Sequence, residues 1–121
     1  MATPNLTGHA CTWTETVTAT GNSNATHAAE VGKVHYIAGF SCTGNTASAV
    51  DKFTVSILDK ATAKVVMDCW AGGNATAGQT AISVDLSNPI RITRSDYCSI
   101  TWTDAAGIEV NGTIWGFTLD D

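Results

Sequence analysis

The segment CTWTETVTAT, residues 11–20, places a threonine at every even position, while Trp13, Val17 and Ala19 hold odd ones. Side chains two residues apart share one side of an extended chain, so the pattern predicts a strand with one hydroxylated, β-branched side and one largely apolar side. The period of two recurs downstream. VGKVHYIAGFSCT, residues 31–43, reads as a long strand; FTVSILD lines up Phe53, Val55 and Ile57; KVVMDCW ends at Trp70; and TAISVDL sends Ile82, Val84 and Leu86 one way and Ser83 and Asp85 the other. A short strand PIRIT opens at Pro89, YCSITWTD groups Cys98, Ile100 and Trp102, and EVNGTIWGFTLDD forms the last strand. Gly112 and Gly116 there mark a bulge or the close approach of a neighbouring backbone. The intervening GNSNATHAAE, GNTASAVDK, AGGNATAGQ, RSD and DAAG read as loops or turns.

Seven or eight short strands with no helical period predict an all-β fold, an antiparallel β-sandwich, with a jelly-roll topology preferred over an immunoglobulin-like one. A chain of 121 residues suffices for one core. Residues 1–10 lack a strand pattern and carry Pro4, so they are expected to be an N-terminal arm on a single sandwich domain spanning residues 11–121.

Composition sharpens this reading. Hydrophobic residues make up 44% of the chain and charged residues only 14%, against about 25% in ordinary soluble domains, which leaves a surface of small polar groups that is easily covered. The formal charge is −5, and Lys33, Lys52, Lys60, Lys64, Arg91 and Arg94 are scattered, so a nucleic-acid partner is not expected. Nowhere do eighteen apolar residues run together, and MATPNLTGHA lacks a basic region followed by an apolar one; no membrane partner is expected, and the chain is expected to be made in the cytosol.

Candidate chemistry is sparse. Cysteines 11, 42, 69 and 98 are 31, 27 and 29 residues apart without a C-x-x-C or a nearby histidine pair, so no metal is expected, and free core thiols are favoured over two disulfides. His9, His27 and His35 fall in the arm, a loop and a strand, none in a recognisable motif with a nucleophile or carboxylate. Cys42 and His35, at odd separation, are expected on opposite sides of one strand. No catalytic residue, cofactor or enzymatic activity is expected. Four N-x-[ST] sequons, starting at Asn5, Asn24, Asn74 and Asn111, are read as by-products of threonine richness. Of the four tryptophans, Trp13 and Trp102 are expected to point inward, leaving Trp70 and Trp115 as candidate sugar contacts.

GKVHYIAGFSCT, then FTVSILD, NPIRITRSDYCSITW and the glycine-punctuated VNGTIWGF together resemble small β-sandwich proteins of tailed-bacteriophage virions. In that family a G-K-x-H-Y-I-x-G-like strand, a P-I-R-I-T-R-G segment and a final G-x-x-x-G-Y-like strand recur. The resemblance covers roughly residues 31 to 118, with Ser95 in place of the glycine and Phe117 in place of the tyrosine. It implies a protein of the virion surface, made in the host cytoplasm: a capsid decoration (cement) protein, commonly a homotrimer, with the major capsid protein as partner. The alternative is a carbohydrate- or receptor-binding module of a tail fibre or spike. The threonine stripe reads first as a solvated strand face and next as a partner interface; for that interface we expect Leu6 as an apolar anchor, with Thr12, Thr14, Thr16, Thr18 and Thr20 as its hydroxylated surround.

Overall fold

Alternation at the start of the chain becomes β1 (Trp13–Thr20), whose residues are by turns half-buried and exposed. The other elements are β2 (Ser23–His27), β3 (Lys33–Thr46), β4 (Lys52–Asp59), β5 (Lys64–Gly72), β6 (Gly78–Arg91), β7 (Cys98–Thr103) and β8 (Glu109–Asp120). These come from a computed structural model that describes residues 10–46, 52–60, 64–72, 78–103, 105 and 107–120. Among the described residues there is no helix.

The strands form two antiparallel four-stranded sheets, ordered β1-β8-β3-β6 and β2-β7-β4-β5, and the chain is an antiparallel β-sandwich. One core lies between the sheets. Ile37, Phe40, Cys42, Val110 and Ile114 from the first meet Ala25, Phe53, Val55, Ile57, Ile100 and Trp102 from the second, all but fully buried. Each large apolar side chain so covered contributes about 1.5–3 kcal/mol. Trp102 fits because Gly112 faces it across the core, where a Cβ would run into its six-membered ring. Its indole N–H donates to the Gly21 carbonyl at 3.0 Å, so the polar atom of the largest core side chain is satisfied.

Three expectations need correction. GNSNATHAAE is not simply a loop: Ser23–His27 form β2, pair with β7 and bury Ala25 completely. PIRIT is not a separate strand: Pro89 lies within β6, an edge strand of its sheet, where a missing N–H leaves no ladder partner wanting. A bulge in β3 between Ile37 and Gly39 inserts one residue against β8 and reverses the alternation. Cys42 and His35 therefore point to the same side, both fully buried. They do not form a pair, because Cys42 lies opposite Gly112 and His35 opposite Thr118, about 20 Å apart along β8.

Beyond that bulge Val34, Tyr36 and Phe117 make a second, smaller buried cluster with Leu119, on the side of the sheet away from the main core. Tyr36 and Phe117 stack with ring centroids 5.1 Å apart. At the turn into β7, Ser95 holds a left-handed φ of 65°. Its N–H donates to the Lys33 carbonyl and its hydroxyl accepts the Gly32 N–H, both at 2.8 Å, which offsets the steric cost of that conformation.

Candidate functional site

The even positions of β1 stand on the outer side of the β1-β8-β3-β6 sheet, and Thr14, Thr16, Thr18 and Thr20, like Thr12 just before the strand, are all exposed. Register extends the stripe into a field. Thr16 lies opposite Thr113, which lies opposite Ser41, which lies opposite Ser83; the next row runs Thr18, Asn111, Thr43. Thr16 and Thr113 share a hydroxyl hydrogen bond of 3.0 Å, and the Asn111 amide donates to the Thr18 hydroxyl at 2.6 Å. Such lateral bonds restrict the rotamers of the hydroxylated surface. The adjoining row is Thr14, Trp115, Gly39 and Asp85. Gly39 has no Cβ because the indole of Trp115 lies across it, leaving that ring half-buried.

A different chemistry occupies the inner side of the same sheet, where β1 and β2 are the edge strands of the two sheets. Glu15 points inward from β1, and its carboxylate accepts the Nδ1–H of His27 at 2.7 Å. The His27 ring stacks on Trp13, centroids 4.1 Å apart and planes within 8°, and meets His35 edge-on at 4.4 Å. His35, from β3, is fully buried. Its Nε2 lies 2.8 Å from the Ala28 carbonyl and its Nδ1 2.7 Å from the Thr118 hydroxyl. A carbonyl only accepts, so Nε2 carries the proton and Nδ1 accepts from Thr118. Burial pushes the His35 pKa below the ordinary histidine value; the Ala28 carbonyl opposes this, and the neighbouring His27 adds to it more weakly.

His27 is less completely satisfied. Its Nε2 is buried without a hydrogen-bond partner among the described residues, and the nearest carboxylate oxygen recorded for it is Glu30 Oε1 at 3.8 Å. His27, Glu30 and His35 each offer one ligating atom, all within 4.8 Å of one another. His27, which has no carboxylate partner in a sequence motif, acquires two in the fold: Glu15 on one nitrogen and Glu30 facing the other. No local motif could have announced this cluster, since Glu15 and His27 are 12 residues apart and join only when the sheet edges stack.

The remaining candidates are placed as follows. Leu6 and His9 lie outside the described residues. Trp70 pairs at backbone level with Thr54 in the β2-β7-β4-β5 sheet, with its side chain outside the described residues, so Trp70 and Trp115 belong to different sheets. Trp13 and Trp102 point inward. Cys42 and Cys98 are buried and Cys11 is exposed, none of the three in a disulfide, while the Cys69 side chain lies outside the described residues. Burial, with Asp59 nearby, pushes the Cys98 thiol up to about 12, which makes it a poor nucleophile. No protein-family model and no curated protein matches the sequence.

Proposed function

We propose that the protein is a structural component of a tailed-phage virion, a decoration protein that seats the outer side of its β1-β8-β3-β6 sheet on the capsid exterior. The observation that carries this reading is the hydroxyl and amide field of Thr14, Thr16, Thr18, Ser41, Thr43, Asn111 and Thr113, with charged residues, Asp85 and Glu109, only in the rows that flank it. Groups of this kind lose less on leaving water than charges do, and they offer both donors and acceptors to a partner. The resemblance over residues 31 to 118 supplies the class of partner, the major capsid protein.

Strand order supports the jelly-roll form of the sandwich. β1 pairs with β8, β2 with β7, β3 with β6 and β4 with β5, so the chain wraps as one long hairpin folded over itself. An immunoglobulin-like sandwich groups its strands differently.

Area argues for a second contributor. Four strands about 4.8 Å apart and seven residues long cover roughly 400 Å², half of the ~800 Å² per partner in a standard stable interface. Either the arm, with Leu6, adds the rest, or neighbouring copies share the load as a trimer. The chain is therefore proposed to bind cooperatively. The experiment is to mix purified protein with undecorated DNA-filled particles and count bound copies per capsid. Saturation at a lattice-defined number, with raised resistance of the shell to heat, is expected. No association with particles contradicts the reading.

A second reading has one observation in its favour. Trp115 lies half-buried among hydroxyl groups beside exposed Thr14, an arrangement that also suits a sugar face in a fibre-type module. Glycan binding that is lost in Trp115→Ala, without particle binding, would select it.

A further inference from the structure

We propose that the protein carries a site for a first-row divalent transition ion of the zinc class, ligated by His27 Nε2, the Glu30 carboxylate and a ring nitrogen of His35, with Glu15 as the outer partner that orients His27. This inference is independent of the virion reading.

Four features converge. The first is the unpartnered Nε2 of His27, buried although the ring as a whole keeps 14% of its side-chain surface exposed. A buried imidazole nitrogen without a hydrogen bond is costly unless something occupies it. The second is the bond from His27 Nδ1–H to Glu15. A metal-ligating histidine characteristically donates its other N–H to a carboxylate, which sets the tautomer and leaves the far nitrogen as a lone pair. Glu15 does this here at 2.7 Å.

The third feature is reach. Glu30 Oε1 is 3.8 Å from His27 Nε2. Two ligands on a tetrahedral ion with bonds of about 2.0–2.1 Å lie roughly 3.3 Å apart, so closure needs a shift of about half an ångström. Glu30 can make that shift, since its side chain is 51% exposed and it lies on the connection between β2 and β3. The fourth is His35, which brings a second imidazole to within 4.8 Å of both. It can ligate through Nε2 by moving its proton to Nδ1; the Thr118 hydroxyl then turns from donor to acceptor and the Ala28 carbonyl is released. The exchange gives up the Ala28 hydrogen bond, and the Thr118 hydroxyl rotor follows it; a pair at the 4.8 Å limit must close by about 1.5 Å to reach the tetrahedral spacing.

Two imidazoles and one carboxylate, with a position left for water, suit zinc, cobalt or nickel. They do not suit calcium or magnesium, which call for oxygen cages. An ion there would join β2, the β2–β3 connection and β3, and through Glu15 also β1. It would clip the open side of the sandwich where the two edge strands meet.

The alternative, that Glu15, His27 and His35 merely fill the sandwich edge with a hydrogen-bonded plug, leaves His27 Nε2 unexplained. The two are separated by titrating the full chain with Co²⁺ in a Cys11→Ser background, which removes the exposed thiol, and recording visible absorption and melting temperature. One equivalent is expected to bind, with d–d bands of nitrogen and oxygen ligation, no sulfur-to-cobalt band and a raised melting temperature. Glu15→Gln should weaken binding by about 10- to 100-fold. His27→Asn should abolish it, and Glu30→Gln, an exposed change that spares the fold, should weaken it at least tenfold. His9→Ala should bind as the parent does. Absence of saturable binding at millimolar Co²⁺, a sulfur-to-cobalt band, or parental affinity in both His27→Asn and Glu30→Gln would overturn the proposal.

Discussion

The two sides of β1 are made by the same eight residues and have opposite surroundings. Outward, Thr14, Thr16, Thr18 and Thr20 meet solvent, and the rows of Thr16 and Thr18 continue across β8 and β3 as an uncharged hydrogen-bonding field. Inward, Trp13 and Val17 pack on the core, and Glu15 reaches across to His27 on the opposite sheet. The difference teaches that an alternating pattern states which residues share a side but not what each side meets. The outer side is defined by near neighbours in its own sheet, the inner by a strand from the other sheet.

The sharpest way to break this comparison is at two adjacent residues of β8. Ile114 is fully buried on the inner side and Thr113 lies on the outer side. Ile114→Ala should cost about 2–5 kcal/mol of unfolding free energy through lost burial and the cavity left behind. Thr113→Ala should cost no more than about 0.5 kcal/mol. Urea denaturation of the two variants checks this, and similar losses would mean that the sides are not distinct.

Thiols provide the next contrast. Cys98 is buried with its pKa at about 12 against an ordinary 9.0 in an unfolded chain. The sign follows directly: below pH 9 both states keep the proton, while between 9 and 12 the unfolded state loses it first. Stability should therefore fall as pH rises through that window, by about 1.4 kcal/mol per unit from this group. Wild type minus Cys98→Ala, measured by denaturation from pH 8 to 10.5, isolates the contribution. In native protein at pH 8, iodoacetamide should label Cys11, which is exposed, and leave Cys98 intact.

Glu15→Gln tests the inner polar contact with a smaller expected effect. Its carboxylate is partly exposed, so replacing a charge-assisted bond by a neutral one should cost about 0.5–1.5 kcal/mol in the absence of added metal. Thr16→Gln, one residue along and facing out, should change stability by less than about 0.5 kcal/mol. Equal effects at both positions would remove Glu15 from the cluster.

How much of this was legible in the sequence depends on the range of the interactions. The alternation of β1, of β4 around Phe53, Val55 and Ile57, and of β6 around Val84 is a local property, and the sandwich follows from it. The left-handed φ of Ser95 was hidden, since serine is not the residue that marks this conformation; glycine is. β2 was hidden because SNATH has one apolar residue, Ala25, and five residues are too few to show a period. The bulge at Ala38 was hidden because neither glycine nor proline occupies the inserted position, and it alone reverses the predicted sides of His35 and Cys42. The cluster of Glu15, His27, Glu30 and His35 was hidden because four strand or connection positions meet only after both sheets have formed.

The central proposal is that the outer side of β1 serves contact with the capsid while its inner side serves the fold. It is tested most directly by the double variant Thr14→Lys plus Thr16→Lys, which places two charges on the hydroxyl field without touching the core. Bound copies on undecorated particles, counted by sedimentation, should fall at least tenfold, while the melting temperature and circular dichroism stay at wild-type values. Wild-type occupancy of the particles by the intact, folded double variant would contradict the account.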